Sequence, residues 1–201
     1  MLTNYSISGK VHIDTTEVAC EYRVRNLDTG YTSGYKTSAV GYYNLNLTNY
    51  NETYFNVGDI IAVDYTRHYN NTVYTYTLFH ILDDNVEVSY DILLTSVAPS
   101  IPEFSLITNN KQITISTNLL SIRKLYFKVY IEHNNKFVPI DLLTTTLDTT
   151  VISFNIIGRY KLVTYVVDNN RLLYTRTNIF DITDGIVASG AIGQARYFDW
   201  E

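Results

Sequence analysis

Apolar and polar residues alternate along most of this chain, and the alternation predicts strands. In Val18-Ala19-Cys20-Glu21-Tyr22-Arg23-Val24-Arg25, Val18, Cys20, Tyr22 and Val24 fall on one face. Glu21, Arg23 and Arg25 fall on the other. Successive strand side chains point to opposite faces, so this segment reads as a half-buried strand. Leu27-Asp28-Thr29-Gly30 ends it with a turn whose glycine tolerates positive φ. Comparable runs cover 7–13, 31–40, 42–47, 60–66, 72–80 and 86–93. Turn signals separate them at Asn56-Val57-Gly58-Asp59, His68-Tyr69-Asn70-Asn71 and Asp83-Asp84-Asn85. No helical period intervenes, which predicts a sandwich.

Pro99 and Pro102 then fall within Ala98-Pro99-Ser100-Ile101-Pro102. Proline fixes φ and cannot donate to a sheet ladder, so this stretch predicts a short stiff connection between two domains, 1–98 and 99–182. The second half repeats the pattern at 111–117, 125–131, 137–140, 151–157, 160–167, 171–174 and 178–182. Asn134-Asn135 and Asn169-Asn170 suit type I′ hairpins, because asparagine tolerates the left-handed backbone. Pro139 marks its strand as an edge or a bulged one. From residue 183 to 201 the character changes. Gly185, Ala188, Ser189, Gly190, Ala191 and Gly193 are small, and the chain closes on Tyr197-Phe198-Asp199-Trp200-Glu201. This reads as a C-terminal extension with Tyr197, Phe198 and Trp200 as interface residues, docking on a neighbouring subunit or folding back on its own domain.

Composition sharpens the picture. Hydrophobic residues make up 46% and charged residues only 17%, below the roughly 25% of an ordinary soluble domain. Asn, Thr, Ser and 19 Tyr stand in for the missing charge. Tyrosine with asparagine and serine is the mix of adaptable contact surfaces, and AT-rich codon usage raises the same residues; both readings stay open. The formal net charge of −5 and the lack of any Lys/Arg run argue against wrapping nucleic acid. The opening Met1-Leu2-Thr3-Asn4-Tyr5 has no basic and apolar leader pattern, so the expectation is a chain folded in a cytoplasm. No apolar run approaches the roughly 20 residues that span a bilayer. The lone Cys20 occupies an apolar position and reads as a buried small hydrophobe.

Motifs for catalysis are sparse. His12, His68, His80 and His133 do not pair at ligand spacing, and no cysteine cluster exists, so neither metal nor cofactor is expected. No nucleophile elbow marks a serine; Ser33-Gly34 and Ser189-Gly190 read as turns. Gly185 to Gly193 lacks the Lys-Ser/Thr end of a phosphate loop. Asp83-Asp84-Asn85 reads as a solvated turn rather than a calcium loop. A Lys–Asn crosslink at Lys10 is disfavoured, since its side chain should face outward. The chain is expected not to be an enzyme.

Four short motifs occur in order: Gly9-Lys10-Val11; Tyr22-Arg23-Val24-Arg25-Asn26 with Asp28-Thr29-Gly30; Gly41-Tyr42-Tyr43-Asn44-Leu45; and Gly58-Asp59-Ile60-Ile61. Over about residues 6–95 they resemble carboxypeptidase-regulatory-like and Cna protein B-type domains, which are prealbumin-like sandwiches. Residues 99–182 look generically immunoglobulin-like. The resemblance implies an all-β chain of two Ig-like β-sandwich domains in tandem. Related modules occur in head, neck and tail proteins of tailed phages, assembled in the host cytoplasm. By that analogy the expectation is a virion structural protein, an auxiliary (decoration) capsid, neck or tail component whose partners are other virion proteins. The alternative is a carbohydrate- or receptor-binding adhesion module that contacts host surface glycans.

Overall fold

The computed structural model describes residues 5–50, 54–83, 87–99, 104–109, 112–117, 123–147, 149–182, 187–188 and 194–195. It is all-β, with no α-helix among the described residues. The chain divides into two compact units, Met1–Pro99 and Ser100–Glu201.

The first unit contains β1 (Ser6–Gly9), β2 (Val11–Ile13), β3 (Thr16–Glu17), β4 (Glu21–Asn26) and β5 (Lys36–Thr37). It continues with β6 (Tyr43–Asn46), β7 (Ile60–Tyr69), β8 (Thr72–Ile81), β9 (Glu87–Ser89) and β10 (Ile92–Leu94). One side is built from β6-β1-β9 and β10-β2-β3, in which β9 runs parallel to β1 and β10 parallel to β2. The other side is the antiparallel sheet β5-β4-β7-β8. Ile7, Val11, Leu45, Ile92 and Leu94 from the first side and Tyr22, Val24, Ile61, Val63 and Tyr65 from the second share one core. Val18, Cys20, Tyr22 and Val24 are all buried, as their alternation predicted.

The single strand expected over 7–13 is two strands in two sheets, and Gly9 is the reason. Its φ is 155°, and a Cβ there would collide with the Tyr90 carbonyl. The chain crosses between sheets at this point, held by Tyr90 N–H to Ser8 O (2.9 Å) and Ile92 N–H to Lys10 O (2.8 Å). Its parallel partner breaks at the same level, so 86–93 becomes β9 and β10.

The expected strand over 31–40 shrinks to β5. Two serines take over the rest of the β4 edge. Ser33 N–H donates to Val24 O (2.9 Å) while Val24 N–H donates to Ser33 Oγ (3.0 Å). Ser38 does the same with Cys20, at 2.8 and 2.9 Å. A hydroxyl thus replaces a carbonyl in the ladder, which a period-two reading cannot anticipate. The turn at 27–30 is fixed by Asn26, whose Oδ1 accepts from Asp28 N–H (2.9 Å) and Thr29 N–H (3.1 Å). Asn26 Nδ2 donates to Tyr54 O (2.6 Å) and Asp59 Oδ2 (2.7 Å), and Asp28 Oδ2 accepts from Ile60 N–H (2.7 Å). Two of the four motifs therefore meet in one hydrogen-bonded knot.

The second unit contains β11 (Phe104–Asn109), β12 (Gln112–Thr117), β13 (Arg123–His133), β14 (Lys136–Thr145) and β15 (Thr149–Ser153). β16 (Gly158–Asp168), β17 (Arg171–Ile182), β18 (Val187–Ala188) and β19 (Gln194–Ala195) follow. β11-β12-β15 forms one sheet, and β14-β13-β16-β17 lie side by side in another. Ile113, Ile115 and Ile152 pack with Leu125, Phe127, Leu162, Val166 and Phe180 between them. Asn70, Asn71, Asn134, Asn135, Asn169 and Asn170 all have positive φ, so asparagine pairs make these hairpins as their chemistry predicts. Pro139 lies on the edge strand β14, opposite a register shift between Val129 and Tyr130. The strands expected at 171–174 and 178–182 are one continuous β17, and β11 has no counterpart among the expected elements.

The two units share a plan. β14-β13-β16-β17 repeats the order β5-β4-β7-β8, and β15 pairs antiparallel with β12 as β6 does with β1.

Replacing Gly9 with alanine is expected to lower the stability of the first unit by more than about 1 kcal/mol, because both the φ and the added Cβ are incompatible with the crossing. Urea unfolding of the variant checks this, and an unchanged midpoint contradicts it.

Candidate functional site

The described polar side chains sort into buried groups and groups offered outside. His80, on β8, is buried on the same face as the core residues Leu78 and Leu82. Its Nε2 lies within hydrogen-bond distance of the Tyr5 hydroxyl, and its Nδ1 is 2.9 Å from the Tyr90 hydroxyl. Tyr5 Oη also donates toward Asp83 Oδ1 at 3.4 Å. A neutral imidazole has one donor and one acceptor, so it can serve both phenols at once. Burial lowers the His80 pKa, with Asp83 opposing that shift. Burial likewise raises the Tyr5 hydroxyl well above its ordinary range. The arrangement ties the residue before β1 and the residue after β9 to β8.

Asp64, on β7, is also buried, but on the face of that strand opposite the core residues Val63 and Tyr65. Its Oδ2 accepts from Arg23 Nε (3.1 Å) and Arg25 Nε (2.7 Å). Its Oδ1 accepts from Arg25 Nη2 (2.8 Å) and Thr77 Oγ1 (3.1 Å). Arg23 and Arg25 occupy the polar face of β4 that alternation assigned them, but a carboxylate only 1% exposed lies between them. The signal was present in the sequence: Asp64 interrupts the apolar run Ile60 to Tyr65, opposite the arginine face of the neighbouring strand.

The tyrosines divide in a way composition did not show. Of the eighteen described, Tyr5, Tyr22, Tyr43, Tyr65, Tyr130, Tyr160, Tyr165 and Tyr174 are buried, and only Tyr35, Tyr42 and Tyr69 are exposed. Several buried rings fill core volume while their hydroxyls reach backbone acceptors. Tyr43 donates to Tyr90 O (2.9 Å), Tyr22 to Asn44 O (3.0 Å) and Tyr160 to Ile156 O (2.8 Å). The abundance of tyrosine is therefore partly a feature of the core. A half-buried platform remains on the first unit. Tyr31 and Tyr54 stack at 4.0 Å, Tyr50 and Phe55 meet Tyr31 edge-on, and Lys36 Nζ sits 4.5 Å from the Tyr50 centroid.

On the second unit the outward feature is β14. It is ten residues long, pairs with β13 alone among the described residues, and exposes Val138 and Ile140. Proline and a bulge on that strand are devices that blunt an edge against indiscriminate pairing. The extension beyond β17 returns to that strand. β18 pairs with Asp181 and Ile182, and β19 with Arg176 and Thr177.

The expected interface residues Tyr197, Phe198 and Trp200 lie outside the described residues. His68 and His133 are exposed near hairpin ends, and His12 sits half-buried on β2. Cys20 is buried, and burial raises its thiol pKa. Lys10 faces outward, 3.5 Å from Glu17. Ser33, expected as part of a turn, caps β4 instead. Asp83 reaches Tyr5, while the rest of the Asp83-Asp84-Asn85 turn lies outside the described residues. Among the described residues no group of three or more His, Cys, Asp or Glu is placed to hold a metal ion, and no helix is long and apolar enough to cross a membrane.

Two outcomes are expected. Because folding lowers the His80 pKa below 6.5, the unfolded chain takes up the proton more readily. His80 thus contributes fully above that pH, and its contribution is lost as pH falls below it, levelling off under the folded value. Urea midpoints measured across this window should show a slope that His80→Gln reduces; an identical slope in the variant contradicts the assignment. Asp64→Ala should cost about 3 kcal/mol, the low end for breaking a buried pair because Arg23 can rehydrate. A loss under about 1 kcal/mol, the scale of an exposed ion pair, would show that the site is not effectively buried.

No family model matches this chain, and no curated protein matches it. Among solved structures, it is similar to the crystal structure of a DUF3823 family protein from Bacteroides uniformis ATCC 8492. The two are 10% identical, the match covers 93% of this chain and 99% of that one, and the TM-score is 0.28. A TM-score that low leaves both fold kinship and function unassigned.

Proposed function

We propose that this protein is an auxiliary structural component of a virus particle, a decoration capsid, neck or tail protein that acts through protein–protein contacts and carries out no chemical step. The observation that supports this reading best is the β14 edge: a long strand with one side open among the described residues and with Val138 and Ile140 exposed. Such an edge can extend a neighbour's sheet, with backbone bonds supplying affinity and alternate side chains supplying selectivity. The engagement of His80 and Asp64 by partners within the first unit agrees with it, as does the resemblance of residues 6–95 to prealbumin-like modules. In this reading the units form on their own in the host cytoplasm and bury apolar area against other virion proteins, while Tyr197, Phe198 and Trp200 anchor the extension. Aromatic anchors in a desolvated pocket commonly contribute about 2 kcal/mol or more each.

A second reading rests on the half-buried Tyr31, Tyr50 and Tyr54, packed against the buried Phe55, an aromatic platform against which a sugar ring can lie. It makes the protein a carbohydrate- or receptor-binding module. A glycan array separates the two: selective glycan binding that Tyr54→Ala abolishes favours the second reading.

Three outcomes are expected of the first. Mass spectrometry of purified particles finds the chain in fixed ratio to the capsid protein; its absence from particles overturns the proposal. Deleting residues 183–201 abolishes incorporation without unfolding the sandwiches, and unchanged occupancy refutes the anchoring role. Val138→Lys with Ile140→Lys puts two charges on the edge and lowers occupancy on the order of tenfold, corresponding to about 1.4 kcal/mol. Full occupancy by that variant removes β14 from the interface.

A further inference from the structure

The interior of the second unit is not apolar throughout. On β16, Leu162 and Val166 belong to the core, and Thr164 lies between them on the same face, opposite Phe127 of β13. On β17, Asn178 stands opposite Leu162 and shares that face. On the small sheet, Thr150 stands opposite the core residue Ile115, and Thr117 is the next inward position of β12. Thr164 and Asn178 are 0% and 2% exposed. Thr117 Oγ1, Thr150 Oγ1, Thr164 Oγ1 and Asn178 Oδ1 are buried and have no hydrogen-bond partner among the described residues.

These four groups gather at one level of the sandwich. Phe154, just after β15, meets Tyr160 of β16 at 4.6 Å and Phe180 of β17 at 5.3 Å, which fixes how the small sheet lies along the large one. β15 approaches that contact and β16 leaves it, so both strands extend to the same side. Counted from it, Thr150 and Thr164 are each four residues along their strands. That places both about 13 Å from the aromatic contact at the strand rise. Thr164 and Asn178 are diagonal neighbours across the β16–β17 ladder, with Cβ atoms less than about 8 Å apart. Thr117 and Thr150 stand in the same relation across β12 and β15. One end of the interior is therefore aromatic, and polar groups from both sheets meet further along.

Direct bonds across the gap are out of reach for such short side chains. Sheets packed face to face lie about 10 Å apart and a hydroxyl oxygen stands about 2.4 Å from its Cα, so opposed hydroxyls are left about 5 Å apart. A hydroxyl–hydroxyl bond needs about 2.8 Å, and one water placed between the two spans twice that. The chemistry of the four groups narrows the occupant in the same direction. Threonine hydroxyls donate and accept, whereas Asn178 Oδ1 only accepts, so an anion cannot serve it. None of the four carries a charge to hold a cation.

We infer that water occupies this layer, linking Thr164 and Asn178 of the large sheet to Thr117 and Thr150 of the small one. Buried water commonly makes about three hydrogen bonds to polar groups that lack other partners. In the first unit the inward His80 is reached by Tyr5 and Tyr90, side chains long enough to cross to it. The second unit has short side chains at its inward polar positions and makes the link through solvent. The inference does not depend on the particle reading.

The test uses the purified full chain. Oxygen-17 relaxation dispersion of the solvent counts water held inside a protein for longer than the molecule takes to tumble. Thr164→Val with Asn178→Leu is expected to reduce that signal by about one water per chain or more. Thr164→Ser, which keeps the hydroxyl, is expected to retain it. An equal signal from the parent and the double variant overturns the inference. Thr164→Val alone supplies a second measurement, since valine matches threonine in shape. Where water serves the hydroxyl, its removal lowers the urea midpoint. A midpoint that rises or stays unchanged marks a dry, unpaired hydroxyl, and the inference fails. Circular dichroism spectra matching the parent establish that each variant has folded. A crystal structure of the unsubstituted chain reads the site directly: ordered water within about 3 Å of Thr164 Oγ1 and Asn178 Oδ1 is expected. Direct protein partners for both atoms overturn the inference. Particle occupancy is not read in these experiments, so their failure leaves the proposed function standing.

Discussion

Every β-strand presents backbone donors and acceptors along both edges, and those buried away from water must find partners. Much of this molecule follows from how that requirement is met. The first unit uses parallel late strands beside β1 and β2, and at the crossing only glycine lets the chain pass the Tyr90 backbone. Where β4 lacks a full partner strand, Ser33 and Ser38 supply hydroxyl oxygens in place of carbonyls. In the second unit β11 fills the place beside β12, and the returning segment covers part of β17. On β14 the same requirement is handled by proline and a bulge, leaving an edge that can still take a partner.

Within this frame, the polar groups with the most chemistry face one another. His80 needs both Tyr5 and Tyr90 to satisfy a neutral ring in a buried place. Asp64 needs both arginines and Thr77, because an unpaired buried carboxylate costs several kcal/mol. The His80 contacts link the two sides of the first unit, and the Asp64 contacts tie β4, β7 and β8 together within one sheet. Among the described residues, the features open to outside contacts include an aromatic platform on one unit and the β14 edge on the other.

The strand pattern was legible because its cause is local. Alternation places Val18, Cys20, Tyr22 and Val24 on one face whatever the partner strand, and the core contains all four. Asparagine pairs make their hairpins because their tolerance of positive φ belongs to the residue itself. Gly9 and Gly58-Asp59-Ile60 could be noticed as motifs, but their roles lie in partners more than forty residues away or in a distant loop. Asp64 stood out as a charge in an apolar run, yet its partners on β4 depend on strand order. The abundance of tyrosine leaves contact surface and codon usage open as readings, and neither anticipates that several of the rings fill the core while their hydroxyls reach backbone acceptors.

The sequence by itself determined that the chain is all-β, where most strands lie, which faces turn inward and where the tight turns fall, since period, propensity and turn chemistry act within a few residues. Only the tertiary structure decided that β1 and β2 belong to different sheets, that His80 bridges two tyrosines, that β11 occupies the place a late strand takes in the other unit, and that residues 187–188 and 194–195 pair with β17. Those outcomes are set by which edges and which buried polar groups meet across long sequence separations, and no local pattern encodes that choice.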